Sequence, residues 1–357
     1  MNHVAAEKYS FETGVYRPPS EGGSSSLLIR VTRNCPWNKC EFCSMYKSEK
    51  FSLRPAAEVK RDIDVIAGIC EQLVSISEKQ GNGGSINRDV IVEMIEKEPL
   101  LNTHHGFVMI LNWLHSGGKT AFLQDANSPV MKSEHLIDIL KHLRSTFPTL
   151  NRVTSYARSK TLARKPLDEL KGIHAAGLDR LHVGLETGDD ILLKQIKKGS
   201  TSEDHIAGGK KALQAGFQLS EYWMPGLGGK ALWEDHAVHT ALVLNEIDPH
   251  YIRSRPFFPL PGSPLSEQYE RGEIQLLSPV EQLTEIKRMI ENLNVTSRVC
   301  FDHAGNYWRT ANGGLLFSHS YEGYQFPEKK EGLLDKIEEG IVNQKANPDV
   351  SGIHHFL

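Results

Sequence analysis

The chain contains no run of eighteen apolar residues, so no membrane-spanning helix is expected. Its opening stretch, MNHVAAEKYSFETGVYRPPSEGG, holds no apolar segment of the kind that starts a secretory leader, and the expected setting is the cytoplasm. Charge of one sign is not in excess. Lys and Arg number 41 against 44 Asp and Glu, a net of −3, so no broad basic field exists and nucleic acid is disfavoured as a partner. Cysteine is scarce, at five in 357 residues, and in a reducing compartment an odd count argues against a disulfide framework. The remaining composition, 39% hydrophobic and 24% charged, is that of a globular protein. The length suits one large α/β domain with extensions, or two domains.

Three of the five cysteines fall within nine residues, CPWNKCEFC, at Cys35, Cys40 and Cys43. Clustered thiolates bind soft or borderline metals. A structural zinc ion needs four protein ligands, and no second C-x2-C pair is present. Cys70 falls on an amphipathic helical pattern as a small hydrophobe, and Cys300 is remote. Three thiols suit a 4Fe–4S cluster with one iron left open to a small molecule. Zinc with a distant fourth ligand, or plain unligated cysteines, are the rival readings.

Elsewhere the pattern alternates. Apolar, β-branched LLIRVTR (27–33) reads as a strand leading directly into the cysteine loop. Residues 53–98 read as mostly helical, with Ile63, Ile66, Ile69 and Leu73 at helical spacing. Five more strands follow, at KTAFLQDAN, NRVTSYAR, LDRLHVGLE, FQLSEYWMPGL and PHYIRSRPFF, with amphipathic helices between them. Ser133 is expected to cap one helix, and Gly177 and Gly216, about 39 residues apart, to end two others. Strand–helix–strand alternation predicts a parallel sheet with right-handed crossovers. The fold class is α/β, a partial (β/α)6 TIM-like barrel with a C-terminal extension. Residues 1–26 form a lead-in, 27–264 the barrel with a helical insertion at about 47–118, and 265–357 the extension. On such barrels chemistry gathers at the C-terminal strand ends, where the cysteine loop lies. Part of the insertion is expected to fold over the site or to form an oligomer contact.

The segment LLIRVTRNCPWNKCEFCSMYK resembles the signature of the radical S-adenosylmethionine (SAM) enzymes. The resemblance extends over roughly 27–264. Its usual spacing is C-x3-C-x2-C, and this chain has one more residue in the first gap. The resemblance implies a 4Fe–4S cluster on Cys35, Cys40 and Cys43, with SAM chelating the fourth iron. It also implies reductive cleavage of SAM to a 5′-deoxyadenosyl radical that abstracts hydrogen from a small organic substrate. Phe42 matches the aromatic that packs near the SAM adenine. GLETG and KKG resemble segments of the coproporphyrinogen-oxidase-like and cobalamin-type branches, which implies Glu186 as a SAM contact and Lys198 as a partner of the SAM carboxylate. Gln124 and Asp125 replace the family's glycine-rich turn and are expected to accept the SAM ammonium. Ser155 and Tyr222 end strands where SAM contacts are expected, Tyr222 also standing among the catalytic candidates, and Arg158 lies just beyond Ser155. An electron donor such as flavodoxin or ferredoxin is implied. No cobalamin-domain motif precedes the cysteines, and no second cluster of cysteines follows them.

Arg253 and Arg255 fall on one face of the last strand; they are expected either to meet an anionic group or to form a buried ion pair. FDHAGNYW places Asp302 and His303 as further catalytic candidates. GGKT lacks the spacing and the following helix of a phosphate-binding loop. The pairs His104–His105 and His354–His355 read as surface residues. A protein of different class, a SAM, Fe–S or haem carrier or scaffold without radical catalysis, is the alternative function.

Overall fold

The structure, a computed structural model, describes residues 9–14 and 25–346; His354 and His355 lie outside them. Among the described residues the chain forms ten strands and twelve α-helices. The first stretch runs β1 (Ser26–Arg30), β2 (Thr32–Arg33), β3 (Ser52–Leu53), α1 (Ala56–Lys79), α2 (Arg88–Lys97), α3 (His105–His115), β4 (Thr120–Gln124) and α4 (Ser133–Thr146). The middle runs β5 (Arg152–Ala157), α5 (Ser159–Arg164), α6 (Leu167–Ala175), β6 (Arg180–Glu186), α7 (Asp190–Gln195), α8 (Ser202–Gln214), β7 (Gln218–Trp223), α9 (Gly229–Ile247) and β8 (Tyr251–Ser254). The last stretch runs α10 (Pro264–Glu270), α11 (Pro279–Asn292), β9 (Arg298–Cys300), β10 (Tyr324–Gln325) and α12 (Lys330–Ala346). The class is α/β, in the element order of a partial (β/α) barrel, as expected.

The chain divides into two compact units, one of residues 1–36, 50–156 and 168–180, the other of 37–49, 157–167 and 181–357. In unit 1, β1 pairs in parallel with β4, from Ser26 opposite Thr120 to Arg30 opposite Gln124, and β4 pairs in parallel with β5. The crossover from β1 to β4 carries α1, α2 and α3. α1 forms because Val59, Ile63, Ile66, Ile69, Leu73 and Ile76 recur every three or four residues and are all buried. Each such side chain contributes about 1.5–3 kcal/mol when removed from water. The stretch GFVMILNWLH is helical and lies within α3. Ser133 is the first helical residue of α4, and Lys132 takes the cap position expected of it.

One expectation for unit 1 needs correction. LLIRVTR is not one strand: β1 ends at Arg30, and Thr32–Arg33 turns away to pair antiparallel with β3. The described part of the lead-in packs on the rest of unit 1. Tyr9 and Phe11 are buried, and the Tyr9 hydroxyl lies 3.0 Å from both Gln72 Oε1 and Glu98 Oε1. Two apolar rings in an otherwise irregular stretch supply the reason.

In unit 2, β7 pairs in parallel with β8, and β8 with β9. The extension after residue 264 thus adds one more parallel strand, with β10 closing on it antiparallel. α11 starts with the capping box of Ser278 and Glu281, Pro279 standing at its first turn. Gly177 and Gly216 end α6 and α8 at φ +110° and +97°, values that favour glycine.

Candidate functional site

In unit 1 the C-terminal ends of β1, β4 and β5 bring Arg30, Gln124 and Ser155 forward. The Gln124 amide is taken up by the lead-in, its Oε1 accepting from Gly14 N–H at 2.8 Å and its Nε2 donating to Gly14 O at 3.0 Å. This backbone-like pairing leaves Asp125, of the two, as the acceptor available to a ligand. Asp125 Oδ2 accepts from Arg30 Nε at 3.0 Å and from Asn34 N–H at 2.9 Å. Its other oxygen, Oδ1, is buried and meets no hydrogen-bond donor. Gly14 keeps the space beside it, since a Cβ there would stand 2.6 Å from Oδ1. Ser155 is buried, its hydroxyl donating to Tyr156 O at 2.9 Å.

Arg30 belongs to a wider charge network. Its guanidinium also reaches Glu12 at 2.9 Å and Asn34 Oδ1 at 3.1 Å. Glu12 meets Arg33 at 2.7 Å and Arg54 at 3.4 Å, and buried Arg54 meets buried Asp62 at 2.8 Å. Partial burial alone would raise the Glu12 carboxyl; Arg33, Arg54 and Arg30 together hold it below its usual value. Asn34 takes a left-handed φ of 66° and ties to Lys50 O at 2.8 Å, so the residue before Cys35 is fixed on both sides.

The rest of the cysteine loop belongs to unit 2. The long first gap holds a second left-handed asparagine, Asn38 at φ 48°, whose amide donates to Tyr46 O. Trp37 braces the same gap. Its Nε1 donates to Lys197 O at 2.7 Å, and Arg158 and Lys39 lie 5.0 and 5.2 Å from its ring. Gly199 makes room for the indole, a Cβ there standing 2.3 Å from it. Cys40 O accepts from Lys47 Nζ at 2.7 Å. Glu41 N–H donates to Ile196 O at 2.9 Å, and Leu265 N–H donates to Glu41 O at 2.9 Å, which staples the loop to the end of α7 and the start of α10. None of the five cysteines is joined in a disulfide. Burial pushes the Cys40 thiol up, and the charges of Lys198 and Arg158 pull it back toward thiolate. Phe42 packs beside Leu192, Ile196, Leu227, Phe257 and Leu265, with Lys198 Nζ 5.7 Å from its ring centre.

Lys198 Nζ lies 2.7 Å from Glu186 Oε1, in a pair whose two side chains are only 12% and 11% exposed. Burial would lower the ammonium, but Glu186 and Cys40 outweigh it and keep Lys198 charged. Gly184 leaves the space this pair fills, since a Cβ there would meet Glu186 Oε1 at 2.1 Å. Arg158 donates to Lys198 O at 2.6 Å, so it acts on the pair through the backbone. Ser200 Oγ lies 2.9 Å from buried His205 Nε2, and burial together with Lys198 and Arg158 drives that imidazole well below its usual value, to the neutral form.

Tyr222 is buried with its ring 5.4 Å from that of His182. Arg253 resolves into the buried ion pair, its NH1 2.9 Å from Asp302, with Nε donating to Ser220 Oγ at 3.1 Å. Arg255 lies just past β8, half-buried, beside His303. One residue escaped the sequence reading. Glu221, within the apolar strand FQLSEYW, is buried with neither oxygen hydrogen-bonded. Burial raises its carboxyl well above the usual range, Lys198 countering and Glu186 reinforcing, so it is a neutral acid. The signal available was a lone acid in a strand with apolar neighbours. Among the described residues, no three or more His, Cys, Asp or Glu side chains are arranged for a single metal ion, and no helix is long and apolar enough to cross a membrane.

The profile of the Radical SAM superfamily matches residues 29–239. Among curated proteins, the tRNA uridine(34) acetyltransferase of Methanocaldococcus infernus is 24% identical over 135 residues, 37% of this chain and 25% of that protein. The heme chaperone HemW of Bacillus subtilis is 24% identical over 174 residues, 48% of this chain and 45% of that protein. The chain thus spans less than half the length of either relative. Among solved structures, coproporphyrinogen III oxidase (HemN) of Escherichia coli covers 81% of this chain and 60% of its own at 14% identity and TM-score 0.43. The methyltransferase TsrM of Kitasatospora setae covers 74% and 43% at 15% identity and TM-score 0.47.

Proposed function

The chain belongs to the radical SAM superfamily, whose enzymes work with a 4Fe–4S cluster and SAM, and from that premise we propose that it abstracts hydrogen from a small organic substrate. The observation that carries this reading is the buried Lys198–Glu186 pair beside Cys40, in a loop whose thiols are all unbridged. Cys35, Cys40 and Cys43 would hold the cluster. When bound, the cluster supplies the electron that splits SAM to methionine and the 5′-deoxyadenosyl radical.

The donor set fits these groups. Burial holds the Cys40 thiol above its usual value, and Lys198 and Arg158 offset part of that rise toward the thiolate that ligates iron. The unpaired Asp125 Oδ1 is an acceptor suited to the SAM ammonium, and Lys198 is a cation suited to its carboxylate. Phe42 offers a ring face to the adenine, and Ser155 an oxygen to the ribose. Arg158 and Gly184 position Lys198 and Glu186 and are assigned no contact of their own. Tyr222, Asp302, His303 and Arg255 are assigned to the substrate side, and a flavodoxin or ferredoxin is the proposed donor of electrons. The rival reading, a haem or SAM carrier without radical chemistry, draws on the relative named as a heme chaperone.

One experiment separates the two. The protein is reconstituted anaerobically with iron and sulfide, then given SAM and dithionite, and 5′-deoxyadenosine is quantified by mass spectrometry. Its formation is expected. An intact cluster with SAM bound and no 5′-deoxyadenosine would leave the carrier reading standing.

A further inference from the structure

We propose that the lead-in belongs to the ligand site of unit 1: Glu12 is a positioning residue that keeps one oxygen of Asp125 open, and Gly14 keeps the space at that oxygen clear for a ligand ammonium. The inference rests on the reading above, in which Asp125 meets the ammonium of SAM.

The donors around Asp125 are unevenly shared. Three converge on Oδ2: Arg30 Nε at 3.0 Å, Arg30 NH2 at 2.9 Å and the Asn34 N–H at 2.9 Å. None reaches Oδ1, although the side chain is only 1% exposed. An arginine and a carboxylate left to themselves favour the two-pronged pairing, one nitrogen to each oxygen. Arg30 is kept from it by its other partners. Its NH1 donates to Glu12 Oε1 at 2.9 Å, and its NH2 also donates to Asn34 Oδ1 at 3.1 Å. Glu12 is itself fixed, its two oxygens gripping the Arg33 fork at 2.7–3.0 Å. Without the Glu12 carboxylate, the Arg30 guanidinium is free to turn and cover both oxygens of Asp125. A buried acceptor without a donor costs free energy until a donor arrives, and Oδ1 is that acceptor.

The lead-in holds this arrangement by its backbone as well. The Glu12 N–H donates to Asp62 Oδ2 at 3.0 Å, and Gly14 makes its two bonds with the Gln124 amide at 2.8 and 3.0 Å. Gly14 is thereby pressed against the open oxygen, where a Cβ would stand 2.6 Å from Oδ1. Its φ lies outside the left-handed region, so it is the space, not the backbone, that calls for glycine. The charge balance favours a cation. Glu58 joins the network through Arg33 at 3.6 Å, so the acids outnumber the guanidiniums of Arg30, Arg33 and Arg54 that they meet.

The test is calorimetric titration of the reconstituted protein, under anaerobic conditions, with SAM and separately with 5′-methylthioadenosine, which keeps the adenosine and thioether and lacks the amino-acid end. Gly14→Ala should weaken SAM by about tenfold or more, the loss of one charged hydrogen bond, and leave 5′-methylthioadenosine unchanged. Glu12→Gln should weaken SAM by about threefold or more with the same selectivity, and Glu12→Asp, which restores the charge, should recover part of it. If Gly14→Ala does not fold, the Glu12 pair carries the test. Unchanged SAM affinity in these variants overturns the inference, and so does equal weakening of both ligands, the mark of a merely structural lead-in. A like loss in Lys60→Ala, at the exposed pair with Asp138, would also overturn it. If the unsubstituted protein shows no saturable SAM binding, the reading above falls and takes the inference with it. Selective losses in a protein that forms no 5′-deoxyadenosine would uphold the inference and leave the carrier reading standing.

Discussion

Both units hold acids in or beside their cores, but they treat them in opposite ways. In unit 1 the acids Glu12, Asp62 and Asp125 are met by Arg30, Arg33 and Arg54, most at 2.7–3.0 Å, within a lattice of paired side chains. In unit 2, Glu221 and Glu285 are buried without a close cation and are kept neutral. Glu285 is pushed up to about 8 by burial, against the pull of the Gly226 N–H it accepts. His236, 4.0 Å from Glu285, is driven down to about 4 by burial, so both members are uncharged near neutrality. A network of paired charges fixes a lead-in against a sheet. A core of neutral acids leaves Lys198 and Glu186 as the local ion pair, on which a ligand's own charge can register strongly.

The largest effect that would sharpen this contrast is at the cysteines themselves. Cys40→Ala should reduce iron per chain to background and abolish 5′-deoxyadenosine, while circular dichroism stays unchanged. Full iron retention would break the ligand assignment. Next in size, Arg54→Met in unit 1 should cost about 3–5 kcal/mol in urea unfolding, because it leaves buried Asp62 unpaired. A loss under about 1 kcal/mol would show the network to be dispensable.

The pH dependence should run in opposite directions in the two units. Glu285 has a raised folded value, so its favourable contribution is complete at acid pH and is lost as pH rises from about 4.5 to about 8, by about 1.4 kcal/mol per unit. Glu285→Gln should remove that slope. Glu12 has a lowered folded value, so its contribution is present above about 4.5 and is lost on acidification through the folded value. Glu12→Gln should flatten the acid limb only. Smaller again, Gly184→Ala should displace the Glu186 carboxylate and weaken SAM binding by about tenfold, as measured by calorimetry, with unfolding little changed. The smallest effect should come from Glu221→Gln. It exchanges one neutral group for another and should shift stability by under about 1 kcal/mol, where an ionised Glu221 would give several times that.

Much of the fold was legible because it is written in local periodicity. The alternation of strand and helix, the glycines at 177 and 216 and the box at Ser278 all act within one turn of their own position. The cysteine loop was legible for the same reason. What escaped depends on partners far along the chain. Nothing near Gln124 announces Gly14, 110 residues away, as the group its amide serves. The short strand β9 offers only Arg298–Cys300, too few residues for a period, and it is defined by pairing with β8. Arg253 and Asp302 meet across a similar gap, so the sequence left open whether Arg253 would be paired or waiting. Trp37 resembled any loop aromatic until Gly199 and the Lys197 carbonyl were in place around it.

The crossover between β1 and β4 has a kinetic consequence. Ser26 and Thr120, whose hydroxyls stand 2.8 Å apart, are separated by 94 residues, whereas Ser220 opposite Tyr251 closes a much shorter stretch of unit 2. Closing the longer loop carries the larger entropic barrier, eased only by helices α1 to α3 forming early within it. Unit 2 should therefore reach its native pairing first during refolding, presenting Cys40 and Cys43. Cys35 belongs to unit 1.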